Sequence, residues 1–436
     1  MREKSLFNMD IYIFLSALAL MVIGILFIYS SGVSSEGVVF SNEYIKQIIW
    51  AVTGLALLIG FSYIDYNRLR DYSVYIYGGC ILLLLITLLF GQRVNGAKAW
   101  LGIGQLGIQP SEFTKLATIL FTAAFVDKNK GEITGVKIIL QSLIIILIPV
   151  GLILLQPDMG TALAYIPVYF FILFAGGAKV RYLSFFLVSG LLMILLGVLP
   201  EIEKEIFLEN PPLLLLLTEK TFFSWLLGAL VIISALAVAG YMVFKKGYFY
   251  WLSWAALAGC LGLLGSRVFR HVLKSYQIKR FIVFLDPGID PKGAGWNVIQ
   301  SVTAVGSGGL TGKGFLQGTQ SHYRFLPQQS TDFIFSILAE EWGFLGGLVV
   351  FTLFLIILIR SMSIVYQAKD NYAYLVGAGI TGMIFFHTLV NIGMAMGIMP
   401  ITGIPLFFLS YGGSSLWMVA VSLGILQNIY ARRFSY

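Results

Sequence analysis

Long apolar runs separated by short polar stretches extend along most of the chain. A helix needs about 20 mostly apolar residues to cross a bilayer, and twelve runs lie near that length. The pattern therefore predicts an all-α polytopic membrane protein with about twelve transmembrane helices. The runs cover residues 11–29, 45–64, 73–90, 111–127, 138–155, 161–176, 182–199, 222–243, 250–270, 333–359, 373–396 and 414–430.

Two apolar stretches do not fit a simple helical bundle. Residues 213–217, after two prolines, are too short to span a membrane, and we expect them to lie at its interface. The segment 397–414 is apolar but contains two prolines and four glycines. Irregular backbone at membrane depth is tolerated where protein buries it or where it lines a polar cavity. We infer such a cavity beside this segment.

Composition and charge agree with a membrane protein. Hydrophobic residues make up 58% of the chain and charged residues only 11%, against about a quarter in soluble domains. The 29 Lys and Arg exceed the 21 Asp and Glu, giving a net charge of +8. With the N-terminus inside, 15 basic residues fall on short cytoplasmic loops, as the positive-inside rule requires. This predicts two cytoplasmic termini, with basic residues that orient helices rather than bind nucleic acid.

Another group of basic residues has a different position. Eight lie in or just before residues 271–332, the longest polar stretch, which the topology places outside the membrane. Long loops cross a membrane regardless of charge, so the topology does not explain this group. Two interpretations stay open: contact with lipid headgroups, or binding of an anionic ligand. The residues are Arg267, Arg270, Lys274, Lys279, Arg280, Lys292, Lys313 and Arg324.

Several polar residues at the ends of apolar runs are candidates for a site. Glu112 and Lys115 lie three positions apart at the start of a predicted helix. They would either form an ion pair that closes the helix end or place a cation at the mouth of a cavity. Asp158 would cap the next helix or contact a substrate. His387 lies in mid-span, where a neutral ring bonded to a neighbouring helix is favoured over a proton relay.

Asp290 differs because proline and glycine surround it and no helix obviously needs its cap. Such a carboxylate serves as a general base for a hydroxyl or as a ligand of a hard divalent ion. The alternative is a local Asx-turn. Nearby, Lys313 follows a glycine-rich stretch that departs from the nucleotide-binding phosphate loop, although its backbone still suits a phosphate.

Taken together, the motifs resemble the SEDS family (shape, elongation, division and sporulation). The sequence of residues 318–321 resembles the family branch for cell elongation more than the branch for cell division. The motifs are Asn95-Gly96-Ala97, Trp100-Leu101, Gln109-Pro-Ser-Glu112, Gln156-Pro-Asp-Met-Gly-Thr161, Phe284-Leu-Asp-Pro-Gly-Ile-Asp-Pro-Lys-Gly-Ala-Gly295, Gln300-Ser301, Gly318-Thr-Gln-Ser321, Phe325-Leu-Pro327, Thr331-Asp-Phe333, Pro405 and Ser410-Tyr-Gly-Gly-Ser414.

The resemblance implies a peptidoglycan glycosyltransferase that polymerises lipid II at the outer face of a bacterial cytoplasmic membrane. It implies that Asp290 is the essential acid, either as the base for the acceptor hydroxyl or as a ligand of Mg²⁺ or Mn²⁺. No organic cofactor is expected. The implied partners are a class B penicillin-binding protein, the elongation machinery and the lipid-linked glycan. The expected substrate-binding residues are Lys115, Glu112, Trp100, Asp158 and Lys313.

The resemblance also implies a family core of ten spans in one membrane domain, residues 1–436. The runs 222–243 and 250–270 then form a hairpin inserted within 201–270, and 271–332 is the extracytoplasmic catalytic loop. Departures from the family pattern stand at Ala99, Gln328 and Ser330. Two other functions stay open: a lipid II flippase and a non-catalytic scaffold for the penicillin-binding protein. The carboxylates concentrate near one membrane face, which favours chemistry there.

Overall fold

The computed structural model describes residues 9–94, 96–103, 106–206 and 217–433. Asn95, the basic residues Arg2 and Lys4, and all of the predicted interfacial stretch except Leu217 lie outside these ranges. The chain divides into two compact units. The first contains Met1–Gly177 and Trp296–Tyr436, and the second contains Ala178–Gly295.

The first unit is a helical bundle with one small sheet. Helix α13 begins in the second unit and continues into this one. The elements are α1 (Ile11–Ser31), α2 (Glu43–Tyr63), α3 (Tyr66–Asp71), α4 (Ser73–Phe90), β1 (Gln92–Val94), β2 (Ala97–Ile103), β3 (Leu106–Ile108), α5 (Pro110–Lys128), α6 (Val136–Leu155), α7 (Met159–Leu163), α8 (Tyr165–Ala175), α13 (Ala294–Ser307), α14 (Thr319–His322), α15 (Ile334–Tyr366), α16 (Asn371–Ala395) and α17 (Gly413–Arg432).

The second unit contains the predicted inserted hairpin. Its helices α10 and α11 pack on each other, and α11 also packs along α9. The turn of the hairpin is at Lys245, whose left-handed backbone (φ 51°) ends α10. The unit's helices are α9 (Val180–Ile206), α10 (Lys220–Phe244), α11 (Gly247–Val272) and α12 (Ser275–Leu285).

All twelve predicted runs are helical in the structure, which confirms the all-α membrane architecture. Ten helices of the described chain are long and apolar enough to cross a membrane. The other two runs differ for physical reasons. Helix α5 is 19 residues long but carries Glu112, Lys115 and a charged pair at its C-terminus. The run 161–176 is divided at Ala164 into the short helices α7 and α8.

Polar contacts close the end of the first unit where α1 begins and α17 ends. The carboxylate of Asp10 caps α1 by accepting from the backbone N–H groups of Tyr12 and Ile13. Its other oxygen accepts from Arg360 Nε (2.8 Å). Gln427 of α17 bonds the backbone of Asp10. The first helix is therefore fixed to two helices from the end of the chain.

Helix α15 changes direction at Gly343, where the backbone is non-helical (φ 63°). A loop approaches the helix closely at this kink. Gly312, also with positive φ (80°), lies so near that an added Cβ would overlap the carbonyl group of Glu341. Glycine is required at both positions because other residues rarely adopt positive φ and would not fit the space.

Two further segments have irregular or extended backbone. Residues 397–412 contain no helix, and most of 401–410 is buried, as the prolines and glycines predict. The strands β1–β3 form an antiparallel sheet of three strands in the order of the chain. The sequence analysis did not predict this sheet, which follows α4 directly. The predicted loop 271–332 is partly helical, since it contains α12, α13 and α14.

The contact between loop and kink gives a stability prediction. Gly312→Ala adds a Cβ at positive φ against backbone atoms that cannot move aside, so we expect a loss of about 1–3 kcal/mol. Gly306→Ala is the matched control, because an added Cβ there meets no atom within 4 Å. Thermal unfolding of both variants in detergent measures the difference. Equal midpoints would show that the close approach does not limit stability.

Candidate functional site

Asp290 lies in the second unit between a short 3-10 turn and the start of α13. The turn, Pro287–Ile289, is capped by Asp286, whose Oδ1 accepts from the N–H of Gly288 (2.8 Å). Asp290 Oδ2 accepts from the backbone N–H of Ala294 (3.1 Å). Its Oδ1 makes no hydrogen bond within the described residues, and the side chain is half-buried. One oxygen thus fixes the carboxylate while the other is available to accept a proton.

Lys115 is completely buried in the first unit, with 1% of its side chain exposed. Its ammonium group forms an ion pair with Glu112 Oε1 (2.8 Å), one turn earlier in α5. It also donates to His387 Nε2 (3.2 Å) in α16. His387 Nδ1 donates to the carbonyl of Pro405 (3.1 Å). Because a lysine only donates and a carbonyl only accepts, these contacts require a neutral imidazole protonated on Nδ1.

The Lys115 side chain does not lie open at the mouth of a cavity, as one of the two sequence interpretations proposed. It joins two helices to the irregular segment, and its charge is compensated by one carboxylate. The second oxygen of that carboxylate, Glu112 Oε2, is buried without a hydrogen-bond partner, as is Ser111 Oγ. Buried polar atoms are normally satisfied by protein, water or ligand. This pair of atoms is therefore a candidate contact for a bound hydroxyl or water.

Asp158 connects the start of α7 with the start of α5. Its Oδ1 caps α7 by accepting from the N–H of Thr161 (3.1 Å). Its Oδ2 accepts from Gln109 Nε2 (2.9 Å) and from the hydroxyl of Thr161 (2.8 Å). The backbone N–H of Gln109 in turn donates to Ser414 Oγ (3.0 Å). The capping interpretation of Asp158 is confirmed, and its part in binding substrate stays a prediction.

Trp100 lies in the middle strand of the sheet, opposite Gln92 of β1. Its indole ring is half-buried and covers Gly107 of β3, where an added Cβ would be 3.1 Å from the ring. The backbone N–H of Lys98 in the same strand donates to the carbonyl of Gln156 (3.1 Å). The sheet is therefore attached to the end of α6, and it holds one face of Trp100 against backbone.

Lys313 is paired with a carboxylate rather than left as an isolated cation. Its ammonium group lies 2.8 Å from Glu340 Oε1, and Glu340 is fully buried. The same carboxylate accepts from the backbone N–H groups of Thr319 (2.8 Å) and Gln320 (3.0 Å). A phosphate at Lys313 would compete with this pair. A substrate can therefore reach Lys313 only through the exposed part of its side chain, which is 27% of the side-chain surface.

The neighbouring Glu341 is also fully buried and binds three parts of the first unit. It accepts from Ser30 Oγ of α1 and from the backbone N–H of Leu316 (3.1 Å). His322 Nε2 lies 3.4 Å from Glu341 Oε1, and His322 Nδ1 donates to the carbonyl of Val33 (2.8 Å). The hydrogen-bonding attraction of Glu341 raises the pKa of His322 although burial opposes it.

The sequence analysis assigned no role to Glu340 and Glu341. Two adjacent charges inside an apolar run were the available signal. The sequence could not show which residues of α1 and of the loop they bond. His387 was expected to bond a neighbouring helix, and this is confirmed, but its partner Lys115 was not anticipated.

The expected metal site has limited support in the described ranges. No group of three or more His, Cys, Asp or Glu side chains there could hold an ion. Asp290 is held by a backbone N–H, and the nearby Asp286 carboxylate caps its own turn. The protein residues described do not form a metal-binding set, and we derive no chemical step through a metal.

Comparison with known proteins gives matches along the whole chain. The family model FTSW_RODA_SPOVE, described as "Cell cycle protein", matches residues 10–209 and 214–434. The peptidoglycan glycosyltransferase RodA of Treponema pallidum (strain Nichols) is 47% identical over 438 residues, covering 99% of this chain and 100% of the relative. The peptidoglycan glycosyltransferase MrdB of Escherichia coli (strain K12) is 31% identical, covering 98% and 94%.

Solved structures also resemble this fold. A chain from the structure of a peptidoglycan synthase complex, which coordinates polymerization and crosslinking, superposes with a TM-score of 0.67 at 27% identity. The match covers 99% of this chain and 100% of that one. Sequence and fold comparisons therefore agree over nearly the full length.

The buried ion pair in α5 gives a second prediction. Lys115→Met leaves Glu112 as an uncompensated buried carboxylate, and breaking a buried pair in this way costs about 3–5 kcal/mol. The double variant Glu112→Gln/Lys115→Met removes both charges, so we expect it to recover most of that loss. Thermal unfolding in detergent distinguishes the two. A double variant as unstable as the single one would contradict a role for charge compensation.

Proposed function

This chain belongs to the FtsW, RodA and SpoVE family of cell cycle proteins, and on that basis we propose that it is a peptidoglycan glycosyltransferase acting in cell elongation. The observation that carries the proposal is the full-length match to a glycosyltransferase at 47% identity. The carboxylate of Asp290, held by one oxygen and open at the other, supplies a suitable base. We propose lipid II as the substrate, on the family resemblance.

The proposed reaction rests on the family resemblance and uses the free oxygen of Asp290 as the base. In the proposed step, Oδ1 takes the proton from the 4-hydroxyl of the acceptor N-acetylglucosamine. The hydroxyl oxygen forms a bond to the anomeric carbon of the donor's N-acetylmuramic acid. The bond from that carbon to the pyrophosphate oxygen breaks, and undecaprenyl pyrophosphate leaves with the electron pair. General base catalysis of this type contributes about 10²–10⁴-fold to a rate.

We assign substrate-binding roles to residues of the first unit. Glu112 Oε2 is buried without a partner, which supports a bound hydroxyl beside the Lys115 ion pair. Trp100 lies in β2, which precedes α5 in the chain, and Asp158 bonds Gln109 at the start of α5. We propose that both contact sugar. Lys313 would contribute positive charge to a leaving pyrophosphate from the exposed part of its side chain, in competition with Glu340.

The protein is a multi-pass membrane protein, with ten described helices suited to crossing a bilayer. We propose that both termini are cytoplasmic and that Asp290 acts outside. The pairs Arg360–Asp10 and Arg432–Asp65 support this orientation, because they place arginines at the end of the first unit where α1 begins. The match to a chain of a peptidoglycan synthase complex supports a class B penicillin-binding protein as the partner.

The catalytic role of Asp290 is tested by Asp290→Asn. The amide oxygen of asparagine can still accept from the N–H of Ala294, so the fold should survive while the base is lost. We expect polymer formation from purified lipid II, in the presence of the penicillin-binding partner, to fall by about 10²-fold or more. Asp286→Asn is the control, because that carboxylate also caps a turn. Polymer at the parental rate in Asp290→Asn would remove this residue from the mechanism.

Orientation is tested by cysteine labelling in a background with Cys80 and Cys260 replaced by serine. A membrane-impermeant maleimide added to spheroplasts should leave Lys246→Cys unmodified and should modify Lys292→Cys. Both positions are exposed, so membrane side decides the result. Permeabilised cells, in which both cysteines should react, give the control for accessibility. Modification of Lys246→Cys in intact spheroplasts would contradict the proposed topology.

A further inference from the structure

The last two turns of α11 present three basic side chains to one pocket of the second unit. Arg267, Arg270 and His271 have the spacing i, i+3 and i+4, which places them on the same face of a helix. The pocket has a volume of about 580 Å³, within the range of small-molecule sites. It is lined by Thr218, Arg267, Val268, Arg270, His271 and Val272.

The two arginines are positioned by contacts that leave most of their N–H groups available. The Arg267 guanidinium lies 3.7 Å from the centre of the Phe223 ring in α10. Arg270 Nε donates to the carbonyl of Ser266 (3.4 Å), one turn back in α11. Both side chains are half-buried. A stacked or anchored guanidinium keeps a planar set of donors facing the pocket.

No carboxylate neutralises this cluster directly in the described part of the chain. None of the three basic side chains forms an ion pair within 4.0 Å there; the carboxylate of Glu201 acts on Arg270 only from a longer distance. Like charges three or four positions apart repel each other. The C-terminal end of a helix favours cations, which explains why basic residues occur here. It does not supply an anion to neutralise the two guanidinium groups that line one pocket.

The pocket also has an apolar wall. Val268 and Val272 of α11 also line the pocket and are 61% and 44% exposed. Both lie in the last turns of a helix suited to crossing a membrane, where headgroups meet acyl chains. Arginine forks bind phosphate oxygens in pairs, and basic pockets at the ends of membrane helices bind anionic headgroups. The combination of forks and exposed valines fits an amphiphile better than a soluble anion.

We propose that Arg267, Arg270 and His271 form a binding site for the phosphate-bearing headgroup of a membrane lipid. The phosphate lies between the two guanidinium groups, with the imidazole at its edge and the lipid's glycerol or first isoprene against Val268 and Val272. An anionic phospholipid and a lipid-linked pyrophosphate present the same chemistry to this site. Binding does not depend on glycan transfer, so the proposal stands apart from the catalytic role of Asp290.

The test is lipid binding to the purified full chain, measured by native mass spectrometry. Phosphatidylglycerol, phosphatidylcholine and undecaprenyl pyrophosphate are titrated separately into detergent-solubilised protein. The parental protein should bind phosphatidylglycerol more tightly than phosphatidylcholine. Each basic residue near an anionic lipid contributes about fivefold, so Arg267→Gln/Arg270→Gln should weaken phosphatidylglycerol binding by about tenfold or more. Tighter binding of undecaprenyl pyrophosphate, with the same loss in the variant, would support the site and identify the lipid-linked source.

Two further variants make the result decisive. Lys245→Gln/Lys246→Gln removes two charges at the other end of the hairpin and should leave binding unchanged. Arg267→Lys/Arg270→Lys keeps the charge, tests the site if the glutamine variant does not fold, and should lose part of the affinity because an ammonium forms no planar fork. The proposal is overturned if neither phosphatidylglycerol nor undecaprenyl pyrophosphate binds more tightly than phosphatidylcholine, if either arginine variant keeps the parental affinity, or if the Lys245/Lys246 variant shows an equal loss.

Discussion

The buried carboxylates of Glu340 and Glu341 determine the arrangement of a large part of the first unit. A charge in an apolar environment is costly unless hydrogen bonds and an opposite charge surround it. The partners here come from α1, from the loop around Lys313 and from backbone N–H groups at 316–320. Satisfying two adjacent carboxylates therefore requires the loop to pack on α15, which in turn requires glycine at Gly312 and Gly343.

Asp290 shows how a structural role and the proposed chemical role are compatible in one side chain. A carboxylate that caps a helix or turn is held in place by the backbone N–H group that it accepts from, so no other side chain is needed to position it. Because Ala294 uses only one oxygen, the other keeps its capacity to accept a proton. The two sequence interpretations of Asp290, a local turn and a general base, are therefore compatible. Asp158 differs, because both of its oxygens already bond the starts of two helices.

The helices were predictable because each needs a long apolar run, and the broken segment near Pro405 was predictable because proline and glycine interrupt one. Residues close in sequence, such as Glu112 and Lys115, were also paired correctly. The contacts that could not be predicted join distant parts of the chain, such as Lys115 with His387, 272 positions apart. The small sheet around Trp100 was missed because its strands of three to seven residues carry little periodicity. The division into two units depends on contacts between helices, which the apolar pattern along the sequence does not show.

The attachment of Asp10 to Arg360 and Gln427 has a consequence for biosynthesis. Asp10 and Arg360 are 350 positions apart in the sequence. At about 5–20 residues per second, a ribosome needs roughly 20–70 s to reach Arg360 after it has made Asp10. During that interval α1 is already made while its carboxylate lacks its arginine. Insertion of α1 and its final packing against α15 are therefore separate events, and this contact forms only after most of the described helices have been made.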